Sequence, residues 1–359
     1  MEMNAVLLIA PKKLELGRVP RPACPQGGLL IKMAACSLCA TDAKMWHQGH
    51  RDLILPRILG HEMAGTIVEV GNGVRGLQIG DRVQIAPGLP CGRCRYCLRG
   101  VPNLCQEMRI MGFHHNGGLA EFLAVPAAGV HQGAVNLIPA ALSFRVATLA
   151  EPLACCINGQ EQAVVGPGEH VAIFGAGPIG LLHAQLAYLR GASRVILVEI
   201  APERIALARQ GWADEVIDAG DQDPVAAIGE LTGGQGVDVA MLACRAIEAL
   251  EWALAGLAKR GRLCLFSGLR PDQASQALDL NRLHYLEASL VGAYGCTSRQ
   301  NALALELLAQ GRIPGDKLLT HRLPLAEVET GLHLVQNRQG LKITIDCCSA
   351  EEKGLFHGS

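Results

Sequence analysis

Four apolar residues, Val171–Phe174, run directly into Gly175-Ala176-Gly177-Pro178-Ile179-Gly180 and on into a helical stretch, Pro178–Arg190. No other segment restricts the fold so tightly. A strand that ends on G-x-G-x-x-G and opens a helix reads as the first turn of a dinucleotide-binding βαβ unit. The first glycine permits the tight turn, the second lets the backbone approach a pyrophosphate, and the third lets helix and strand pack closely. The helix N-terminus adds unpaired N–H groups and the positive end of its dipole. Glu199 closes the next strand, 19 residues after Gly180, where a carboxylate is placed to meet an adenosine ribose. Gly175, Gly177, Pro178, Ile179, Gly180, Glu199 and Arg204 are therefore the candidate cofactor-binding residues. A carboxylate at 199 repels a 2′-phosphate and favours NAD over NADP; Arg204, five residues on, softens that preference.

Around this turn the chain has two textures. From about 160, strands and helices alternate: Val171–Phe174, Arg194–Ile200, Glu215–Asp218, Val237–Ala243, Arg262–Ser267 and Ser289–Tyr294 read as strands with helical stretches between them. That spacing implies a six-stranded parallel sheet. From residue 1 to about 150 the runs are short and β-rich, divided by Gly and Pro, with no long amphipathic helix, which suggests a small antiparallel barrel. The last 60 residues, with helices at Asn301–Ala309 and Ala326–Gln336 and a strand at Lys342–Asp346, are expected to return to the first domain. The expected domains are 1–155 with 298–359, and 156–297.

The 359 residues suit two domains, each large enough for its own core. Thirty-two basic against 33 acidic side chains leave no electrostatic footprint for nucleic acid or an anionic membrane. The short apolar run Ala5–Ala10 follows Glu2 rather than positive charge, unlike a signal peptide. A cytoplasmic location is expected, and there the 14 cysteines serve as metal ligands, reactive groups or small core residues, not disulfides.

Four of them, Cys91, Cys94, Cys97 and Cys105, form C-x2-C-x2-C-x7-C in a Gly- and Pro-containing loop, within a lobe at 88–108. Four thiolates at this spacing can close a tetrahedral zinc site without a large core nearby. Unrelated buried cysteines are a poor alternative beside Arg93, Arg95, Tyr96 and Arg99. An iron–sulfur cluster is chemically possible, but nothing here supplies a redox path. A second constellation is less local: Cys39 in Cys-Ala-Thr41-Asp42, His61 in Gly-His-Glu62, and Glu151 in Glu-Pro-Leu. One Cys, one His and a carboxylate leave an open position, the pattern of a catalytic zinc. Spacing alone leaves each of these open to a bland reading as a buried thiol, a satisfied histidine or a surface acid.

These motifs, together with Gly80-Asp81-Arg82-Val83 and Gly117-Gly118-Leu119-Ala120-Glu121-Phe122, occur in an order that resembles the zinc-containing medium-chain dehydrogenase/reductase family, in particular its sorbitol/polyol and threonine dehydrogenase branch. The resemblance spans nearly the whole chain. It implies an α/β protein in which a Rossmann doubly wound parallel sheet is inserted into a GroES-like β-barrel catalytic domain. It further implies two zinc ions per chain. Cys39 and His61 would hold the catalytic zinc with Glu151, directly or through water, or with Glu62 swinging in; Cys91, Cys94, Cys97 and Cys105 would hold the structural one. Thr41 would hydrogen-bond the alcohol oxygen. Two departures stand out. The positions three and five residues after Cys39, where the family commonly has a relay histidine, are Asp42 and Lys44, with His47 farther on. Gly295-Cys296-Thr297-Ser298-Arg299 replaces the Arg–aromatic pair frequent in sorbitol-like enzymes.

The implied activity is transfer of a hydride from a secondary alcohol (a polyol, sugar-derived alcohol or cyclitol) to NAD. The alternatives are an amino-alcohol dehydrogenase acting on a threonine-like substrate, and a zinc- and nucleotide-binding scaffold without turnover. A homodimer or homotetramer is implied by the resemblance, paired through the edge strand of the sheet.

Overall fold

A computed structural model describes residues 1–348 and divides them into two compact units, Met1–Ala154 with the chain from Cys296 onward, and Cys155–Gly295. The first boundary falls inside one helix, Ala150–Gln162. Among the described residues no helix is long and apolar enough to cross a membrane.

The second unit is a six-stranded parallel sheet with spatial order Glu215–Asp218, Arg194–Glu199, His170–Phe174, Val237–Leu242, Leu257–Leu265, Ser289–Gly292. The chain starts at the third position, winds outward one way, then reverses. That is the doubly wound arrangement, with its switch point beside His170–Phe174. The central strands are buried on both faces, which is why they read as unbroken apolar runs without alternation. Phe174, Ile196, Val198, Leu242 and Leu263 anchor the core on one side.

The first unit is mostly antiparallel. Val135–Leu137, Arg82–Ile85, Glu62–Val70, Leu29–Leu38, Lys342–Asp346 and Leu319–Pro324 follow one another across one sheet, with Phe122–Val125 also paired to Leu29–Leu38. Two features depart from the antiparallel, helix-poor reading. Leu319–Pro324 and Lys342–Asp346 pair in parallel, because the helix Val328–Gln336 between them acts as a crossover. A nine-residue helix, Ala40–Gln48, starts directly at Cys39. Its periodicity is weak; a reciprocal capping box holds its start, with Thr41 N–H directed to Cys39 Sγ and Cys39 N–H to the Asp42 carboxylate.

His183 lies in the second unit's helix Pro178–Leu189, fully buried, its ring edge-on to Phe266 at 4.6 Å. Gln160 donates to the His183 carbonyl at 2.7 Å, while His183 Nε2 has no partner among the described residues. Burial, aided by the Arg190 charge, pushes the imidazole down to about 3. The folded protein thus refuses a proton that the unfolded chain accepts near 6.5. Stability from this group is complete above that value and is lost as pH falls toward 3, by up to about 1.4 kcal/mol per pH unit. His183→Leu is therefore expected to flatten the fall in melting temperature between pH 6 and 4. Parallel curves for the two proteins would remove His183 from the acid response.

Candidate metal and dinucleotide sites

Asp42 organises the first site. It is fully buried in the first turn of the helix Ala40–Gln48. One carboxylate oxygen accepts the Cys39 N–H at 2.9 Å; the other accepts the Gly60 N–H and lies 3.2 Å from His61 Nδ1. Gly60 turns the chain into this bond with φ +92°, and a Cβ there would fall 2.6 Å from Cys36 Sγ. With Nδ1 held by Asp42, the other ring nitrogen of His61 is the one left for a ligand. Burial opposes a charge on this imidazole, but the Asp42 carboxylate and Cys39 beside it hold it well above the usual histidine range. Although burial works against it, Asp42 is kept below the usual carboxylate range by His61 and the Cys39 N–H.

Donor atoms of Cys39, His61 and Glu62 lie within 4.8 Å of one another. A thiol, an imidazole and a carboxylate gathered in a buried space with a further carboxylate behind them call for a cation, and the set suits zinc. Glu62 is not bare. Both its oxygens meet Nζ of Lys342, a buried lysine that also donates to the Leu38 carbonyl at 3.3 Å. Burial drives the Glu62 carboxyl up to about 7 against the pull of Lys342. Burial likewise opposes the lysine's charge, but Glu62 raises it overall.

Glu151 opens the helix Ala150–Gln162 and stands outside the Cys39–His61–Glu62 group; its carboxylate lies within 4.8 Å of Cys296 Sγ instead. Its charge still reaches Glu62 and Lys342. The structure thus brings Cys39, His61 and Glu62 together, keeps Thr41 beside Cys39, and leaves Glu151 at the margin. Sequence reading missed Lys342, 280 residues from its partner and without a motif. It noted Asp42 only as a missing relay histidine, although the Cys39-x-x-Asp42 spacing of a capping box was there to be read.

In the lobe, the four sulfurs of Cys91, Cys94, Cys97 and Cys105 lie within 4.8 Å of one another, with separations of 3.5 Å for 94–97, 3.9 Å for 94–105 and 4.0 Å for 91–97. Ligands about 2.3 Å from a tetrahedral zinc sit roughly 3.8 Å apart, so the set fits the ion. N–H groups of Cys91, Cys94 and Glu107 point at these sulfurs. Backbone donors hold Cys94 down at about 6, and burial with its thiol neighbours pushes Cys97 up to about 12: crowded thiols that do not ionise together without a cation.

The glycine-rich turn separates packing from ligand binding. Gly175 needs its glycine for φ +105°, and a Cβ on Gly180 would lie 1.8 Å from the Gly175 carbonyl oxygen. Gly177 has an ordinary φ of −73°, and a Cβ there would meet only the Arg204 guanidinium, Nη1 at 3.2 Å. Neither backbone nor packing requires glycine at 177. The requirement fits a phosphate group lying against the chain, and the helix that begins at Pro178 has no side-chain cap on its N–H groups. The Glu199 carboxylate accepts the N–H groups of Ala176 (2.8 Å), Ile200 (2.8 Å) and Ala201 (3.1 Å). It therefore fixes the turn itself as well as placing negative charge beside it.

Fold and donor sets together define a dinucleotide-binding oxidoreductase with two side-chain clusters of the kind that hold a metal ion. Residues 25–136 match the alcohol dehydrogenase GroES-like domain and 178–310 the zinc-binding dehydrogenase domain. L-threonine 3-dehydrogenase of Pyrococcus furiosus is 37% identical over 331 residues, covering 89% of this chain and 91% of that protein. D-altritol 5-dehydrogenase of Agrobacterium fabrum is 33% identical, with 91% and 94% covered. A solved structure from Sinorhizobium meliloti 1021, described as a zinc-binding dehydrogenase and bound to NADP, superposes with a TM-score of 0.89 at 30% identity, over 96% of this chain and 99% of the other. The chain belongs to the zinc-dependent medium-chain alcohol dehydrogenase family, and its first unit contains the GroES-like domain match.

Two outcomes follow. Cys94→Ser is expected to lower bound zinc by one per chain and to lower the melting temperature; an unchanged melting temperature with one zinc fewer would deny the lobe a structural role. Gly177→Ala should weaken nucleotide binding in calorimetry while the nucleotide-free protein melts normally, whereas Gly180→Ala should destabilise the fold. Equal effects of the two on melting would contradict this division.

Proposed function

We propose that the protein is a zinc-dependent dehydrogenase that oxidises a secondary alcohol in a polyol, sugar-derived alcohol or cyclitol, with NAD as the acceptor. The observation that carries this reading is the half-buried Cys39 beside the buried His61, backed by Asp42 and flanked by Thr41.

Zinc, when bound, supplies the Lewis acidity that makes an alkoxide accessible near neutral pH, and NAD supplies the site that takes the hydride. The chain's own residues do the rest. Cys39 Sγ and the outward nitrogen of His61 would hold the metal, and Asp42 fixes that imidazole's orientation. Glu62 is the carboxylate already inside the cluster, with Lys342 matching its charge; Glu151 is the carboxylate that can approach from its margin. The Thr41 hydroxyl, one residue into the helix, hydrogen-bonds the alcohol oxygen and carries its proton outward, with Lys44 one turn on toward solvent. Gly177 and the uncapped helix N-terminus receive the pyrophosphate.

Glu199 favours NAD, since a 2′-phosphate would meet its charge; Arg204 works in the other sense, and the Sinorhizobium relative was solved with NADP. A second reading, oxidation of an amino alcohol, is supported by the 37% identity to a threonine 3-dehydrogenase. The intact donor set argues against a scaffold without turnover. We further propose a homo-oligomer paired through the strand Ser289–Gly292, which ends its sheet, and a reducing, cytoplasmic setting for the free thiols.

Cys39→Ser is expected to bind one zinc instead of two, to melt as the parent does, and to form no NADH from any member of a panel of polyols, sugar acids and amino alcohols. Turnover by the zinc-stripped variant would overturn the mechanism.

A further inference from the structure

Glu151 owes its place to the chain before it. From residue 146 to 154 every residue is buried except Glu151, which lies in the first turn of the helix Ala150–Gln162. The short helix Phe144–Ala147 leads into that turn and packs on the strands Leu29–Leu38 and Glu62–Val70. Arg82, from the motif at 80–83, ties down the approach. It donates to the carbonyls of Pro139, Ala140 and Leu142 and lies 4.4 Å over the Phe144 ring. At the other end of the short helix is Thr148, fully buried and three residues before Glu151. The charge of Glu151 is felt by Glu62 and Lys342, so the point at which the long helix starts matters to the donor cluster.

The Thr148 hydroxyl is hydrogen-bonded to that of Ser37, which is also fully buried. Thr148 gives its one hydroxyl proton to the Arg145 carbonyl at 2.7 Å, and this makes Ser37 the donor of the pair. Ser37 lies in the strand Leu29–Leu38, two positions before Cys39, with Glu62 as its register partner on one side and Thr344 on the other. It is thus fixed to the segments that deliver Cys39 and Glu62. Cohesion alone does not call for hydroxyls here, since an apolar pair of the same shape is close to neutral in stability. Val146, Ala147, Leu149 and Ala150 already give this stretch buried apolar contacts, but such contacts are non-directional and let a helix shift along a sheet. A buried hydrogen bond admits only a narrow range of separation and angle.

We propose that Ser37 and Thr148 are positioning residues. Their hydrogen bond holds the start of the helix Ala150–Gln162 at one separation from the segments bearing Cys39 and Glu62, and so sets how near Glu151 comes to the Cys39–His61–Glu62 cluster. The inference rests on the zinc-dependent dehydrogenase reading, in which Glu151 approaches the metal from the margin, and adds to it the residues that place that carboxylate.

The test measures, by chelator competition on the zinc-loaded full chain, the affinity for the zinc that Cys39→Ser loses, alongside kcat/KM with NAD on the panel of alcohols. Thr148→Val is expected to weaken that zinc about tenfold and to lower kcat/KM, and Thr148→Ser, which keeps the hydroxyl, to restore both. Ser37→Ala takes the place of Thr148→Val should the latter fail to fold. Glu151→Gln is expected to weaken the same zinc, and adding Thr148→Val to it to cost nothing further, as when one residue acts through another. An equal further loss in the Glu151→Gln background would reduce the hydroxyl pair to general support of the fold and overturn the proposal. So would an affinity indifferent to Thr148→Val or to Glu151→Gln. Zinc affinities that follow the expected pattern in a protein without turnover on any alcohol would support the positioning role while sinking the dehydrogenase reading. Turnover without the pattern would do the reverse.

Discussion

A single buried carboxylate, Asp42, ties together the parts from which the metal centre is made. It closes the capping box that starts a helix at Cys39, takes the N–H of Gly60 where the chain enters the next strand, and holds Nδ1 of His61. Two donors 22 positions apart in the chain are thereby set against each other by one side chain. Removing it would leave the Cys39 and Gly60 N–H groups and His61 Nδ1 without the acceptor that holds them. The same residue shows why the family's usual relay position can change without dismantling the centre: what stands at position 42 is spent on architecture.

Charge matching runs through the rest of the site. Glu62 sits among the metal donors, yet its charge is answered by Lys342, so the centre offers zinc a thiol and an imidazole first and a carboxylate already occupied. Glu151 keeps its place at the margin, close enough for its field to be felt. Two carboxylates of unequal freedom therefore flank one metal position, and this inequality is set by where the lysine lies.

In the second unit, the glycine-rich turn distributes its requirements over three positions with three causes. Position 175 is a matter of backbone angle, 180 of a carbonyl that a methyl group would strike, and 177 of neither. Glu199, read from sequence as a ribose ligand, turns out to accept three backbone N–H groups that shape the turn. A carboxylate retains capacity for a further donor, so both tasks are compatible.

The amino-acid sequence by itself determined what depends on neighbours in the chain. The four lobe cysteines, the turn at 175–180 and the alternating strands and helices after 170 are legible because local geometry or local ligand chemistry dictates their spacing, whereas Cys39 and His61 stood out only through the resemblance of the motifs around them to those of the family. The parallel pairing of Leu319–Pro324 with Lys342–Asp346 was not legible, since no local pattern states which strands lie side by side. Tertiary structure alone decided that Lys342 meets Glu62, that Ser37 meets Thr148, and that Glu151 stands outside the donor cluster. Those contacts join residues tens to hundreds of positions apart. They follow from strand order and register, and a one-residue slip in either would turn the side chains to the opposite face.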